Sequence, residues 1–240
     1  VPDRDTFDFF RNAALLLYRR PLTDRWQLRA GYESIITRYP QSRFFDYTVH
    51  GLLVELRTRW SLGLTTYYLI DLQRYAGTAT PQDAEAEASP EDGERAMLRV
   101  GFDWLIGGSS LTGTYSVQED EGDLGVQQIG DIEGPVGSQD NEAEFDLVKR
   151  KATLLYAVPL TGRLVLSSYA EWIHKRFDDE ERLKLALPRR TDTLYLTATD
   201  LRIRIDEALS LKLGYLFRGN SSSVDLLDYG NHILSAGLTY

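Results

Sequence analysis

Three histidines, His50, His174 and His232, are the side chains of this 240-residue sequence best suited to metal binding or general-base catalysis. They lie far apart, and none has a second ligand at the spacing that zinc sites use, so we expect no metal site. Alternation with apolar neighbours places each on the apolar register of a strand, near one end. A polar ring is tolerated at such an interfacial position, and we expect structural roles for all three.

A hydrolytic site would need a nucleophile or an activated water beside a positioned base. Ser167 and Ser168, close in sequence to His174, are the nearest candidates. No serine shares a face with a histidine at cross-strand reach in any pattern that we find. The sequence therefore predicts no catalytic residue and a protein that is not an enzyme.

Two acidic segments, residues 76–95 and 119–142, carry the remaining groups with binding chemistry, since hard divalent cations prefer carboxylate oxygens. No EF-hand spacing is present, so we favour solvated surface loops over cation sites and expect no cofactor. The carboxylates concerned are Asp83, Glu85, Glu87, Glu91, Asp92 and Glu94, then Glu119, Asp120, Glu121 and Asp123.

Composition argues against several classes of protein. Without cysteine the chain has neither a disulfide framework nor a thiolate metal site. Its 27 basic and 36 acidic residues give a net charge of −9, which argues against non-specific binding of nucleic acid. No apolar run reaches the roughly 18 residues of a membrane helix. The opening residues, VPDRDTFDFF, are not a signal peptide.

The elements that position these groups are strands, because apolar and polar residues alternate with period two along most of the chain. In the terminal segment, His232, Leu234, Ala236, Leu238 and Tyr240 share one face. The pattern predicts eleven strands and no helix. They cover residues 7–20, 25–38, 44–60, 62–75, 96–106, 110–118, 144–158, 163–177, 191–205, 209–219 and 231–240.

The connections alternate between short and long. Short turns lie near 21–24, 60–61, 107–109, 159–162 and 206–208, and long or polar loops near 39–43, 76–95, 119–142, 178–190 and 220–228. An outer-membrane barrel sorts its connections in this way, with short periplasmic turns on one rim and longer external loops on the other. Trp60, Trp104 and Tyr156 lie close to short turns on the apolar register, where an aromatic girdle is expected.

The polar register would face the lumen of such a barrel. It carries charges of both signs with an excess of basic residues, which fits a weakly anion-preferring lumen and fits equally a salt-bridged interior that plugs a narrow barrel. The residues expected to face the lumen are Arg29, Glu33, Glu55, Arg57, Arg59, Asp71, Arg99, Asp103, Lys149, Lys151, Glu171, Lys175, Arg202, Arg204, Lys212 and Arg218.

Internal repeats support an array of hairpins. Residues 14–28 and 152–166 share the string A-x-L-L-Y-x-x-P-L-T-x-R-x-x-L, and residues 28–32 resemble residues 211–215. Bacterial single-chain barrels have an even number of strands, so eleven strands lead us to expect a missing N-terminal portion. We expect residues 1–240 to be one barrel domain, with 12 or more strands in the complete protein.

These features resemble those of Gram-negative outer-membrane β-barrel proteins. The ending Leu234, Ala236, Leu238 and Tyr240 is similar to the terminal signal read by the barrel assembly machinery, with Tyr in place of the usual Phe or Trp. The Tyr-x-x-Pro-Leu-Thr turns more narrowly resemble barrels found behind tetratricopeptide repeats or in exopolysaccharide-export loci, near the surface lipoprotein assembly modulators.

The sequence therefore predicts a transmembrane antiparallel β-barrel in the outer membrane of a Gram-negative bacterium. We expect a porin-like or export channel for solute, polysaccharide or protein. The alternatives are a structural barrel that anchors or is plugged by a partner complex, and a soluble β-sandwich that binds sugar. Expected partners are the lipid bilayer, lipopolysaccharide, the assembly machinery and periplasmic or outer-membrane subunits, with no nucleic acid.

Overall fold

The chain forms eleven β-strands in a computed structural model that describes residues 10–38, 47–60, 63–77, 93–121, 146–178, 189–224 and 227–239. Each strand predicted from the alternation is present. The strands are β1 (Phe10–Pro21), β2 (Trp26–Arg38), β3 (Tyr47–Arg59), β4 (Leu64–Gly77), β5 (Gly93–Ile106), β6 (Ser109–Glu121), β7 (Asp146–Thr161), β8 (Leu164–Asp178), β9 (Thr191–Arg204), β10 (Ser210–Ser222) and β11 (Tyr229–Thr239).

The strands pair in chain order as one antiparallel meander from β1 to β11. At 11 to 16 residues each, they are long enough to cross a bilayer when tilted. Among the described residues, β1 and β11 each pair on one side only, so the sheet is open. No helix in the described part of the chain is long and apolar enough to cross a membrane.

Short turns connect the strands at one end of the sheet, as their composition predicts. Gly107 and Gly108 have φ angles of 54° and 86° and join β5 to β6 in two residues. A two-residue hairpin loop with both φ angles positive favours glycine. The repeated Pro-Leu-Thr string gives a related contact twice, because Thr23 Oγ1 accepts a hydrogen bond from the Arg25 backbone N and Thr161 Oγ1 accepts one from Arg163 N.

The sheet has two chemically different faces. Paired residues project to the same side, so the register defines an inner face of odd-numbered residues in β1–β5, β7, β8 and β11 and of even-numbered residues in β6, β9 and β10. The outer face carries exposed apolar side chains such as Leu52, Ile70 and Leu98, each about half exposed. The buried apolar side chains of the described segments lie on the inner face: Ile35, Val49, Leu69, Leu147 and Phe177.

The acidic segments are shorter than predicted, and this is a correction. Because β5 begins at Gly93 and β6 ends at Glu121, Glu94, Glu119, Asp120 and Glu121 are strand residues. Carboxylates have low β-propensity, but Asp120 continues the inner register and is neutralised there by a cation on β5. The other acidic candidates lie outside the described residues: Asp83, Glu85, Glu87, Glu91, Asp92 and Asp123.

Candidate functional site

The inner face collects every charged residue that the sequence assigned to a lumen. The register from β2 to β11 places all of them on this one side, Lys175 included. Their shared face follows from the alternation within each strand, and the register shift between Pro159 and Thr161 lies beyond the charged residues of β7. That this face lines a lumen stays a prediction. We call these residues and their inner-face neighbours the charged tract.

A buried ion pair of the tract joins Arg95 on β5 to Asp120 on β6, with 2.6 Å between Nε and Oδ1. The two side chains are only 14% and 4% exposed. Gln118 also donates a hydrogen bond of 2.7 Å to the Asp120 carboxylate, and the Arg95 guanidinium lies 5.6 Å from the centre of the Tyr75 ring. The sequence pattern does not predict this cluster, because the predicted fifth strand begins at residue 96, after Arg95, and the predicted sixth strand ends at residue 118, before Asp120. The alternation of Arg95, Met97 and Arg99 was the available signal.

Two further groups of the tract are neutralised by neighbours. Glu55 on β3 lies 3.3 Å from Arg57 Nε and 3.9 Å from an Arg29 nitrogen, so one carboxylate serves two cations. On β7 and β8, Lys151 Nζ lies 2.8 Å from Glu171, a contact that crosses between the strands. The Arg29–Glu55 and Lys151–Glu171 contacts join adjacent strands on the inner face, and the Arg57–Glu55 contact lies within β3.

The tract becomes more exposed toward the short-turn ends of β9 and β10. Lys212 Nζ lies 3.2 Å from Asp200, with the two side chains 48% and 39% exposed. Arg202 pairs directly with Lys212 in the register, and Arg204 follows on the same face. Arg202 and Arg204 are exposed, and neither has an ion-pair partner among the described residues.

Basic residues outnumber acidic ones on the inner face of the eleven strands. The strand ranges and the register give fourteen arginines and lysines against eight aspartates and glutamates on this face. The whole chain has the opposite balance, with a net charge of −9. The positive excess is therefore a property of this face.

The three histidines lie on the outer face, as the alternation predicts. Two of them make the same contact in the two similar hairpins: His50 Nδ1 is 2.7 Å from Tyr32 Oη, and His232 Nδ1 is 2.8 Å from Tyr215 Oη. His174 contacts Thr193 at 3.0 Å. Within the described segments no group of three or more histidine, aspartate or glutamate residues is placed to hold a metal ion.

The serines named as nearest candidates for a nucleophile are separated by the sheet. Ser167 lies on the inner face, opposite Asp200, and Ser168 lies on the outer face, where its Oγ is 3.3 Å from Thr199. Neither hydroxyl is recorded in a hydrogen bond with His174, which contacts Thr193 instead. The structure therefore brings together no serine and histidine of the kind that a hydrolytic site needs among these three residues.

The residues expected in an aromatic girdle share the outer face at the end with the short turns. Trp104 pairs with Leu111, and Leu111 pairs in turn with Tyr156, so these side chains lie at one level of the sheet. Trp60 Nε1 donates a hydrogen bond of 3.0 Å to Thr66. Their role as a girdle stays a prediction.

The expected assembly signal lies at the end of the last strand. Leu234, Ala236 and Leu238 share the exposed outer face of β11, and Tyr240 lies outside the described residues. Its recognition by the assembly machinery stays a prediction.

Comparison with known proteins gives matches of structure. No family model matches the sequence, and no curated protein matches it. The siderophore receptor PirA from Pseudomonas aeruginosa has a TM-score of 0.64 and 14% identity, with 99% of this chain and 40% of the receptor covered. PirA from Acinetobacter baumannii gives 0.63 and 16%, with 95% and 38% covered. The outer-membrane expressed OmpT of Vibrio cholerae gives 0.50 and 12%, with 94% and 62% covered.

The fold is that of an outer-membrane β-barrel. The predicted all-β antiparallel class and the predicted location in the outer membrane of a Gram-negative bacterium are confirmed by these neighbours. At this level of identity the likeness is one of fold, and the chain spans about 40% of the length of the PirA receptors. The narrower resemblance to barrels linked with tetratricopeptide repeats or exopolysaccharide export has no counterpart among these structures.

The prediction that this chain is not an enzyme is wrong, because the comparisons give no ground for excluding catalysis. OmpT of Vibrio cholerae, like the PirA receptors, is similar to this chain in fold alone, and a likeness of fold does not exclude catalysis. A single fold carries many unrelated functions. The lack of a serine–histidine pair in the sequence pattern therefore gives no ground for excluding catalysis.

Proposed function

We propose that the eleven strands form the wall of an outer-membrane channel whose basic inner face favours anionic cargo. The observation that carries this proposal is the positive excess of the inner face in a chain of negative net charge. Rings of basic side chains lower the energy of anions in a pore. The outer face, with its exposed apolar residues, suits contact with lipid.

We assign contact with the cargo to three residues of the charged tract, Arg202, Arg204 and Lys212. Like charges directly opposite each other in a sheet are destabilising, and Arg202 lies opposite Lys212. Asp200 compensates only Lys212 among these cations. An anion passing this end of the sheet would supply the missing negative charge.

The proposed cargo is an anionic solute or polymer. The resemblance of the Tyr-x-x-Pro-Leu-Thr turns to those of export-linked barrels supports polysaccharide or protein as cargo classes beside small solutes. Lipid, lipopolysaccharide, the assembly machinery and further periplasmic or outer-membrane subunits remain proposed partners.

The second candidate is a structural barrel that a partner complex plugs. Two ion pairs favour this candidate, Arg95–Asp120 and Lys151–Glu171. Each joins neighbouring strands on the inner face, and in each pair the two charges neutralise each other. In that case the inner charges stabilise the wall and carry no cargo.

Ion selectivity in planar bilayers tests the channel, with the protein purified whole from its own outer membrane. We expect a reversal potential of the anion-selective sign in a KCl gradient. The double variant Arg202→Ser, Arg204→Ser should move that potential toward zero. Arg150→Ser is the matched control, since Arg150 is exposed on the outer face, and it should change nothing. No conductance, together with co-purifying subunits, would favour the plugged barrel.

A further inference from the structure

The positive excess of the inner face lies at one end of the sheet. Seven of the fourteen basic residues on the inner face of the eleven strands lie within three residues of the strand end that adjoins a short turn, and Asp103 is the one acidic residue of this face there. The rest of the inner face of the strands is balanced, with seven basic and seven acidic residues. The seven basic residues near the short turns are Arg19, Arg29, Arg57, Arg59, Arg202, Arg204 and Lys212.

These seven residues form two clusters in different parts of the sheet. The first, which we call the arginine cluster, consists of Arg19, Arg29, Arg57 and Arg59 on β1 to β3. The second consists of the three cations of β9 and β10 to which we assign contact with the cargo. The five strands between them, β4 to β8, carry no basic inner-face residue within three residues of their short-turn ends. Short turns of an outer-membrane barrel lie on the periplasmic rim, so both clusters belong to the periplasmic side of the wall.

The arginine cluster has less negative charge around it than its four cations require. Arg19 lies directly opposite Arg29 in the pairing of β1 and β2, and like charges in this position destabilise a sheet. Among the described residues Glu55 is the one carboxylate in ion-pair contact with the cluster, through Arg29 and Arg57. Arg19 and Arg59 are exposed and form no ion pair with a described residue. The cluster therefore keeps a net positive charge on the inner face.

The guanidinium groups of Arg29 and Arg57 also keep hydrogen-bonding capacity. Their Nε atoms are buried and form no hydrogen bond with the described residues, although Glu55 lies within ion-pair distance of both side chains. The Arg57 guanidinium lies 5.6 Å from the centre of the Tyr67 ring. With the two side chains 31% and 38% exposed, an oxyanion can reach them from the inner face. Guanidinium groups suit such a ligand, because their paired N–H donors match the oxygens of carboxylate and phosphate.

We propose that the arginine cluster and the cations of β9 and β10 together capture polyvalent anions from the periplasmic side, namely compounds with several phosphate or carboxylate groups. This inference rests on the proposed anion channel and adds the place of capture and the preferred charge of the cargo. Two clusters on separate strands can contact two groups of one anion, and binding at one cluster raises the effective concentration at the other. Charge of one sign at a mouth also raises the rate of capture from that side.

Block of the channel current by tripolyphosphate in planar bilayers tests the position of the site. A biotin on Gly162→Cys, in the turn between β7 and β8, identifies the chamber that faces the short turns by its reaction with streptavidin. A Cβ at Gly162 would meet no atom within 4 Å, and the chain has no other cysteine. We expect tripolyphosphate to block at lower concentration and with weaker voltage dependence from the short-turn side, because a blocker entering there crosses little of the transmembrane potential before it binds.

Substitutions in the arginine cluster test which residues hold the anion. The double variant Arg57→Ser, Arg59→Ser should raise the blocking concentration from the short-turn side about tenfold, as expected for the loss of charge-assisted hydrogen bonds. Arg57→Lys, Arg59→Lys should give a smaller rise, because the charge stays and the paired donors are lost. Arg99→Ser is the matched control, since Arg99 lies on the same face seven residues from the short-turn end of β5, and it should leave this block unchanged.

The sidedness of the block separates this inference from the proposed channel. Equal voltage dependence from the two sides, or block at lower concentration from the long-loop side, would overturn the capture site. An anion-selective reversal potential in the same membranes would still support the channel.

Isothermal titration calorimetry of the whole protein in detergent tests the capture site without any current. Tripolyphosphate should bind the unsubstituted protein and Arg99→Ser alike, and Arg57→Ser, Arg59→Ser about tenfold more weakly. The unheated gel band shows that each variant is folded. Binding without conductance would support the capture site and refute the channel. No binding, or equal binding by the two folded variants, would overturn the inference.

Discussion

Removing the Asp120 carboxylate should strongly destabilise the protein, because the ion pair that it forms on the inner face is buried. Asp120→Ala takes the carboxylate away from the Arg95 guanidinium and also removes the acceptor of the Gln118 amide. The two Arg95–Asp120 hydrogen bonds, at 2.6 and 3.4 Å, span neighbouring strands, so their loss weakens the contact between β5 and β6.

The burial of the pair sets the expected size of the effect. With side chains 14% and 4% exposed, the pair belongs to the class of buried ion pairs, whose breakage by loss of one partner costs about 3–5 kcal/mol. We expect about 3 kcal/mol for Asp120→Ala, because the inner face is open to solvent elsewhere. The Lys212–Asp200 pair, 48% and 39% exposed, is the matched comparison and should contribute about 0–1 kcal/mol.

A double-mutant cycle separates the pair from other effects of each substitution. Asp120→Ala, Arg95→Ala and the double variant are unfolded in urea from lipid vesicles, and the folded fraction is read from the unheated band on a gel. With slopes of about 1–3 kcal/mol per M, a loss of about 3 kcal/mol lowers the urea midpoint by about 1–3 M. The coupling energy should be about 2 kcal/mol, which lies within the usual range for contacting residues.

The more buried pair, Arg95–Asp120, should have a larger coupling energy than the more exposed pair, Lys212–Asp200. A cycle on Lys212 and Asp200 with a coupling energy equal to that of Arg95 and Asp120 would refute it. So would Asp120→Ala with an unchanged midpoint, since a buried guanidinium left without this carboxylate could not be neutral to stability.

Three further substitutions test local features of the sheet. In Gly113→Val, the new Cβ would lie 2.5 Å from the Phe102 ring, so the ring must move; we expect a loss of about 1–3 kcal/mol in the same urea assay. Tyr215→Phe removes the hydroxyl that contacts His232 Nδ1 and should cost about 1 kcal/mol, while Tyr215→Leu, which also loses the ring, should cost more. Thr161→Ala removes a turn hydrogen bond of 3.2 Å and should lower the free energy of unfolding by about 0.5–1.5 kcal/mol, whereas Thr161→Ser should retain most of it.

The repeated strings in the sequence correspond to repeated contacts in the structure. Two similar segments, around Tyr32 and Tyr215, are each followed by a histidine on the next strand. They form the same tyrosine–histidine contact on the outer face of two hairpins, one near each edge of the sheet. The sequence predicted the strands and their faces here. It did not predict the contact, because alternation fixes a side of the sheet and leaves the diagonal neighbour undefined until the register is known.

The strand ends near acidic residues were the weakest part of the sequence-based prediction. The composition predicts loops at Glu94 and Asp120, since carboxylates are depleted in strands. In the folded sheet Asp120 lies opposite Arg95, and the ion pair compensates for the poor local propensity. Such compensation depends on a residue 25 positions away in the chain, which no local pattern contains.

The sequence by itself determined the all-β class, the eleven strands, the side of the sheet on which the charged residues assigned to a lumen lie, and the likeness to outer-membrane barrels. These follow from the period of two in strands and from the sorting of short and long connections, both of which are local. Only the tertiary structure decided which charges neutralise each other, that Arg202 lies opposite Lys212, and that β1 and β11 pair on one side only among the described strands. These depend on register and on the number and direction of neighbouring strands, which are set by pairing between distant parts of the chain.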